Sequence, residues 1–361
     1  MSARPQHYGW PVSPYSAKTR SFLTYKGIEF DDRVPSARQL VMTIQRAVGR
    51  AVMPTVLMPD GTWLQDTSDI IDHFEARHPE PRIIPATPTQ RLAAYLLELL
   101  GDEWLPMIAL HYRWNVPEND TFARGEFARY SSKLPGPHRT LIAKNFADRM
   151  SGYLPKLGVD EATIPGVEAM ARQLISALDT HLAAHPYVLG TRACIGDFAL
   201  FGPLWAHLYR DPGSTALFDE APHLRAWMDR LLEAPADIGT FLPDDEVPAT
   251  LDPVFGIVFQ ELWPYVQEVL TAIDGYCEAN PDATRVPRAL GDTGFTIGGH
   301  EGSRRLLTFT AWMAQRPLEA YQTDPTCDAW LARVGGTALA TTRPKRRQVR
   351  RDFKMALAPA S

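Results

Sequence analysis

Residues 8–20, YGWPVSPYSAKTR, decide how the chain begins to fold. Residues 7–12 predict a strand, and residues 15–26 predict a helix that follows it after a short turn. Ser13 lies in that turn, immediately before Pro14. The start of a helix has unpaired backbone N–H groups and the positive end of the helix dipole, so a negative charge would be stabilised beside Ser13.

The alternation of short strands and helices continues to about residue 79. Apolar periodicity and turn residues predict a strand over residues 29–34 and a helix over residues 37–48. They then predict a hairpin over residues 55–65, around Pro59-Asp60-Gly61, and a last helix over residues 67–77. The order βαβαββα has one early βαβ crossover. It predicts a thioredoxin-like α/β domain over residues 1–79, in which helices cover both faces of a mixed sheet.

The rest of the chain is predicted to be helical. Residues 80–89 are predicted to be a linker, because residues 79–89 hold four prolines in eleven positions. Residues 90–240 predict an all-helical domain, since apolar residues recur on one helical face, as they do from Leu92 to Leu100.

Residues 241–361 predict a C-terminal helical extension with apolar faces of its own. Asp252-Pro253 predicts a helix start, as N-cap and first residue, and Ser303 predicts the start of a second helix that includes Met313. The glycine-rich stretch 298–305 before it favours a loop over an anion site, because it lacks the Lys-Ser/Thr of a P-loop. The basic run 343–354 favours a solvated end or a segment docked on the acidic body.

Composition excludes several classes of protein. The 361 residues are 45% hydrophobic and 22% charged with a net charge of −5, so the chain is neither disordered nor fibrous, and no nucleic-acid or membrane-surface partner is expected. The three cysteines are widely spaced without a CxxC pair, which argues against disulfides or a thiolate zinc site. We find neither a signal peptide nor a membrane span in the sequence, and we expect a cytoplasmic location.

Three separated motifs resemble the glutathione transferase superfamily. Residues 8–20 resemble its first strand, active-site turn and first helix, with SPYS in place of the thioredoxin CxxC. Residues 52–56, VMPTV, resemble its segment with a cis-proline, and residues 61–71, GTWLQDTSDII, resemble the segment that opens its third helix. Residues 187–200 resemble a buried capping box in its helical domain. The resemblance covers about two thirds of the chain.

The resemblance implies glutathione as co-substrate, a small-molecule electrophile as its partner, and a possible homodimer. The sulfur of glutathione is itself the nucleophile, so the protein has only to lower the pKa of that thiol by donating a hydrogen bond to the thiolate. Ser13 is the first candidate for this catalytic donor, with Ser16 or Tyr15 as alternatives. The structural alternative is that Ser13 and Ser16 only cap the helix. A serine in place of cysteine favours conjugation, addition or elimination over thiol–disulfide exchange.

The other two motifs supply candidate residues for binding the peptide. A cis Met53-Pro54 bond, implied by the resemblance alone, would let the backbone there pair with the cysteinyl backbone of glutathione. In the family, the site at Asp66 and Thr67 receives the γ-glutamyl carboxylate, although an ordinary N-cap would have the same sequence. Arg50 is a candidate for the glycyl carboxylate, or a solvated side chain.

The site for the electrophile is expected between the two domains, beside the thiol. Candidate lining residues are aromatic, and each has a core position as its alternative: Trp10, Tyr15, His111, Tyr112 and Trp114. No metal site is expected, because the ten histidines are scattered, and the pair His181 and His185 favours a structural role. Cys194 replaces the family's usual Ser or Thr at the capping box, so the helix is expected to depend on Asp197.

Two classes of function follow from these residues. The first is a glutathione transferase that activates the thiol for attack on a small hydrophobic electrophile; a lyase, isomerase or reductive dehalogenase that uses glutathione is a narrower form of it. The alternative is a non-catalytic protein of the same fold that serves as a scaffold or protein-interaction module.

Overall fold

The computed structural model describes residues 4–131 and 136–358. The N-terminal unit has the predicted βαβαββα order, with the helix predicted over residues 37–48 divided into α2 and α3. Its elements are β1 (Gln6–Tyr8), α1 (Pro14–Tyr25), β2 (Asp31–Arg33), α2 (Ala37–Gln39), α3 (Gln45–Val48), β3 (Thr55–Leu57), β4 (Trp63–Gln65) and α4 (Thr67–Arg77). A π-helical turn, Leu40–Ile44, joins α2 to α3.

The four strands form one mixed sheet in the order β2-β1-β3-β4, in which β1 and β2 are parallel and the other pairs are antiparallel. This confirms the thioredoxin-like architecture. The strand predicted over residues 7–12 is shorter than expected, because the chain leaves the sheet after Tyr8. The N–H of Ser13 donates to the carbonyl oxygen of Trp10 at 3.1 Å, which closes a turn before α1.

The second unit is helical. It comprises α5 (Pro88–Leu99), α6 (Leu105–Asn115), α7 (Pro117–Ser131), α8 (Gly136–Ser151), α9 (Ile164–Leu182), α10 (Ile195–Pro203) and α11 (Pro222–Leu232). The predicted leucine face of α5 is fully buried. The two units pack through α1, which contacts α4 on one side and α10 and α11 on the other.

Gly202 sets how closely α10 approaches α1. A Cβ atom there would lie 2.6 Å from the carbonyl oxygen of Pro14, closer than any side chain tolerates. The missing side chain therefore lets the helical unit pack directly against the start of α1, next to Ser13.

The C-terminal extension contains helices and two β-hairpins. Its elements are α12 (Asp252–Ile257), α13 (Trp263–Ala279), β5 (Ala289–Ile297), β6 (His300–Leu307), α14 (Phe309–Thr323), α15 (Asp328–Arg333), α16 (Thr337–Thr341), β7 (Gln348–Arg351) and β8 (Lys354–Leu357). It packs on the body, since α14 contacts α5 and α12 contacts α9.

The prediction of a helix starting at Ser303 is wrong, because Ser303 lies within β6. Gly298 and Gly299 have φ angles of +53° and +81° and form the two-residue turn between β5 and β6. A Gly-Gly turn between two extended runs is a hairpin signal, although the same glycines also fit a loop before a helix. The helix that contains Met313 begins at Phe309.

Two smaller expectations are also settled. Asp252 is the first residue of α12, with Leu251 as its N-cap, so the predicted helix start is displaced by one residue. The three cysteines are buried and have free thiols. Over residues 4–131 and 136–358, we find no helix with the length and apolar character needed to cross a bilayer.

Candidate functional site

The three predicted site segments meet at one edge of the sheet. Tyr8 at the end of β1 pairs with Thr55 at the start of β3, and Thr55 pairs with Gln65 at the end of β4. The turn that follows β1, the Met53–Pro54 segment before β3 and the Asp66–Thr67 segment after β4 therefore leave the sheet side by side. Tyr8 and Thr55 are 47 residues apart, so the pairing brings the first segment beside two segments that are distant in the sequence.

Ser13 is the N-cap of α1. Its Oγ accepts a hydrogen bond from the backbone N–H of Ser16 at 3.2 Å, as the capping alternative predicts. An accepting hydroxyl keeps its own proton to donate, and the side chain of Ser13 is partly exposed. Capping and donation to a thiolate are therefore compatible. Ser16, in contrast, is fully buried, and its Oγ has no hydrogen-bond partner among the described residues.

A buried arginine on α6 holds the turn before Ser13. Arg113 donates to the carbonyl oxygen of Val12 at 2.6 Å and to that of Ala206 at 2.7 Å. Its guanidinium also binds both carboxylate oxygens of Asp211, each at 2.7 Å. Sequence reasoning missed this pair, because no local pattern connects residues 98 positions apart.

The Met53–Pro54 bond is cis, as the resemblance implied. At the neighbouring segment, Asp66 has a φ angle of +85°, which is uncommon for a residue with a side chain. Its carboxylate caps α4 by accepting from the N–H of Ser68 at 3.0 Å. Backbone conformations of this kind occur preferentially at ligand-binding sites. Thr67, the next residue, is 6% exposed.

A buried network of charges, missed by the sequence analysis, lies under α1. The ammonium of Lys18, 1% exposed, binds Glu98 at 2.9 Å and Asp102 at 2.6 Å. Glu98 also pairs with Arg316 at 2.9 Å and accepts from Ser68 Oγ at 2.7 Å. The sequence contained one signal of this network: Glu98 and Asp102 are acidic residues four positions apart within the leucine-rich run 96–105.

Burial raises the pKa of two acids in this region. Burial raises the pKa of Asp102 to about 7, and the charge of Lys18 opposes this shift. Burial raises the pKa of Glu103 to about 8, and Glu103 accepts from Thr310 Oγ1 at 2.5 Å. Tyr15 donates its hydroxyl to the carbonyl oxygen of Asp102 at 3.1 Å, and burial raises the pKa of Tyr15. Its hydroxyl is already engaged, which favours Ser13 as the donor.

The β7–β8 hairpin of the extension contacts the predicted peptide-binding residues. Arg350 donates to Gln65 Oε1 at 2.6 Å and pairs with Asp66 and Asp69, each at 3.2 Å. Arg50, predicted to bind a carboxylate, donates instead to the carbonyl oxygen of Phe353 at 2.8 Å. The basic run therefore docks on the body at the predicted site, and Arg350 is a site residue that sequence reasoning missed.

Four of the five aromatic residues predicted to line an electrophile pocket are buried, which favours the core position that was their alternative. Trp10 is 2% exposed, and its indole N–H donates to the carbonyl oxygen of Pro35 at 2.8 Å. His111 is 3% exposed and its ring lies 3.4 Å from Glu168 on α9. Tyr112 and Trp114 are also buried, at 7% and 8% exposed. His111, Tyr112 and Trp114 pack within the helical unit, and Trp10 packs from the N-terminal unit against Phe127 of α7 and Phe146 of α8. Tyr15, in contrast, is 36% exposed.

The capping box of α10 depends on Asp197, as expected. Asp197 accepts from the N–H of Cys194 at 2.8 Å and from the indole N–H of Trp227 at 2.8 Å. His181 lies against His185 and forms a hydrogen bond with Thr250 at 2.7 Å. Across the two described stretches of chain, no group of three or more His, Cys, Asp or Glu residues is placed to hold a metal ion.

The fold combines a thioredoxin-like unit, which has a serine at the start of its first helix, with a helical unit packed against it. The family model for the N-terminal domain of glutathione S-transferases matches residues 8–82, and the model for their C-terminal domain matches residues 161–230. Residues 8–82 and 161–230 of the chain are therefore assigned to the two domains of the glutathione S-transferase superfamily.

Individual relatives are more distant. A tetrachloro-p-hydroquinone reductive dehalogenase of Sphingobium chlorophenolicum is 26% identical over 234 residues, which are 62% of this chain and 90% of that protein. Among solved structures, a beta-etherase from Sphingobium sp. strain SYK-6 is 20% identical, with 65% of this chain and 97% of that one covered and a TM-score of 0.43. A glutathione transferase from Phanerochaete chrysosporium is 16% identical; the match covers 66% of this chain and 100% of that one, with a TM-score of 0.46.

Proposed function

We propose that the protein binds glutathione and activates its thiol for attack on a small hydrophobic electrophile. One observation carries the proposal: the register of β1, β3 and β4 places Ser13, Pro54 and Asp66 at the same edge of the sheet. A peptide lying along this edge has its sulfur beside Ser13 and its γ-glutamyl end beside Asp66. The reductive dehalogenase among the relatives acts on an aromatic substrate by name, which fits this class of chemistry.

Ser13 is the proposed hydrogen-bond donor to the thiolate. Its Oγ accepts from an amide of α1 and keeps its proton to donate, and it lies at the positive end of that helix. A hydrogen bond to a charged acceptor contributes about 1.5–3 kcal/mol. This corresponds to a decrease of roughly 1–2 units in the pKa of the bound thiol.

The peptide is held at its two ends in this proposal. The backbone and hydroxyl of Thr67 bind the γ-glutamyl carboxylate at the start of α4, where helix N–H groups are unpaired. Asp66 lies beside these N–H groups and offers its carboxylate to the ammonium of the γ-glutamyl residue. Arg50 binds the glycyl carboxylate, and the backbone of Met53 pairs with the cysteinyl residue.

The test compares Ser13→Ala with Ser13→Asp. Aspartate caps a helix as well as serine does, but at neutral pH it cannot donate a hydrogen bond. We expect both variants to bind glutathione with the thiol pKa raised by about 1–2 units, and to lose about tenfold or more of the rate with an aryl halide at neutral pH. Ser13→Asp keeps the helix cap, so loss of activity there is not a stability effect.

The measurements are calorimetry for binding and ultraviolet absorbance of the bound thiolate for its pKa. A larger effect of Ser16→Ala than of Ser13→Ala would assign the donor to Ser16. No binding of glutathione at millimolar concentration by any variant would refute the proposal.

One observation favours the non-catalytic alternative. The β7–β8 hairpin contacts Asp66 and Arg50, so the proposed peptide site is covered by the chain itself. A scaffold protein would show an equally slow thiol transfer in the wild type and in Ser13→Ala.

Homodimer formation remains part of the proposal, and light scattering of the purified protein checks it.

A further inference from the structure

We propose that the β7–β8 hairpin is an internal competitor of glutathione, which fills both charged ends of the site and leaves when the peptide binds. This inference rests on the proposed function, since it concerns the regulation of the same site. The hairpin tip consists of residues 350–354, which are the end of β7, the turn 352–353 and the first residue of β8.

The first end of the site is acidic, and Arg350 occupies it. The guanidinium lies within 3.2 Å of Asp66 and of Asp69, and it donates to Gln65 at 2.6 Å. Its side chain is only 8% exposed and also lies over the ring of Trp312, 5.4 Å from the ring centre. Glutathione has an ammonium group at its γ-glutamyl end. Two carboxylates that would bind this ammonium are therefore already paired with a cation of the same chain.

The second end of the site is basic, and the backbone of the tip occupies it. Arg50 donates to the carbonyl oxygen of Phe353 at 2.8 Å. Asp352 and Phe353 have φ angles of +48° and +60°, which turn the chain so that this carbonyl faces Arg50. The glycyl carboxylate of glutathione needs the same guanidinium. One hairpin thus presents a cation to the acidic end and an acceptor to the basic end.

The base of the hairpin is fixed independently of these contacts. The backbone of Gln348 exchanges two hydrogen bonds with the side chain of Gln315 on α14, at 2.6 and 2.9 Å. The N–H of Leu357 donates to the carbonyl oxygen of Thr284 at 2.8 Å. The tip therefore stays close to the site when it is displaced, and it closes again when the ligand leaves.

An internal competitor makes the apparent affinity for glutathione equal to the intrinsic affinity multiplied by the fraction of molecules in the open state. Removing the guanidinium of Arg350 should therefore strengthen glutathione binding, even though this side chain contacts the proposed binding residues. An ordinary binding residue would have the opposite effect. This difference in sign separates a competitor from a positioning residue.

The experiment measures glutathione binding by calorimetry to the full-length wild type, Arg350→Ala and Arg351→Ala. Arg351 is on the same hairpin and exposed, and no hydrogen bond or ion pair of its side chain is found among the described residues, so it is the matched control. We expect Arg350→Ala to bind about tenfold more tightly and Arg351→Ala to bind like the wild type. Arg350→Gln, which keeps a polar side chain beside Gln65, replaces Arg350→Ala if that variant does not fold.

Hydrogen exchange of the tip amides gives a second measurement. Saturating glutathione should increase exchange over residues 350–354 of the wild type and leave residues 309–323 unchanged. If Arg350→Ala binds glutathione equally or more weakly than the wild type, the inference is overturned while the proposed function survives. The same conclusion follows if glutathione binds without changing the exchange of the tip amides. Absence of binding in all three proteins refutes the proposed function and the competitor together.

Discussion

Replacing Arg113 by methionine tests how the turn before Ser13 is held. The arginine is 1% exposed and Asp211 is fully buried, so the variant leaves an uncompensated carboxylate inside the protein. The carbonyl oxygens of Val12 and Ala206 also lose their donor. Methionine retains most of the volume, so the effect reports on charge and hydrogen bonds rather than on a cavity.

The expected cost follows from the geometry. Removing one partner of a buried ion pair destabilises a protein by about 3–5 kcal/mol. The double variant Arg113→Met/Asp211→Leu removes the orphaned carboxylate as well and leaves only the two carbonyl groups unsatisfied, at roughly 1–3 kcal/mol each. We therefore expect the double variant to be more stable than Arg113→Met, although less stable than the wild type.

Urea unfolding, followed by tryptophan fluorescence and by circular dichroism, measures these differences. Arg129→Met is the control, because Arg129 is exposed and lies 3.6 Å from its partner Glu126, so the expected change is under about 1 kcal/mol. Since Val12 precedes Ser13, Arg113→Met should also weaken glutathione binding under conditions in which the variant is folded. A loss below about 1 kcal/mol in Arg113→Met, or a double variant less stable than it, would refute this reasoning.

Two further predictions concern the interior between the units. Burial raises the pKa of Asp102 in the folded protein to about 7, so its contribution to stability is complete at low pH and is lost as the pH rises to about 7; Asp102→Asn should make this decline smaller. The measurement is the free energy of unfolding at several pH values, with exposed Asp219→Asn as control, and an unchanged slope in Asp102→Asn would contradict it. Gly101→Ala should destabilise the protein by about 1–3 kcal/mol, because a Cβ atom there would lie 2.5 Å from the backbone of Ala199 on α10. Gly125→Ala on α7, where nothing lies within 4 Å, should be stabilising by about 0.4–1 kcal/mol, and equal effects of the two substitutions in urea unfolding would show that the close approach is unimportant.

Local signals in the sequence predicted much of the N-terminal unit. The helix over residues 67–77 has the bounds of α4, because Asp66 caps it and the hairpin before it ends at a definite point. The helix predicted over residues 15–26 differs from α1 by one residue at each end, and the leucine repeat identified the buried face of α5. Each of these features depends on residues within about one helical turn or one hairpin of each other.

The extension was predicted less well, for a physical reason. The strands β5 and β6 contain glycines and charged residues, and their pairing depends on packing against α13. The periodicity of residues 303–313 fits a helix if the preceding hairpin is not recognised. A hairpin without a strong alternation of apolar residues is decided by the surface on which it packs.

The sequence by itself determined the order of elements in the first domain, the helical character of the second, and the serine, proline and aspartate that define the candidate site. Only the tertiary structure decided what surrounds that site. Arg350 and Asp66 are 284 residues apart, and Lys18 and Glu98 are 80 apart. Such pairs leave no periodic trace in a single sequence, because two charges are brought together by the packing of whole elements and not by the residues next to them.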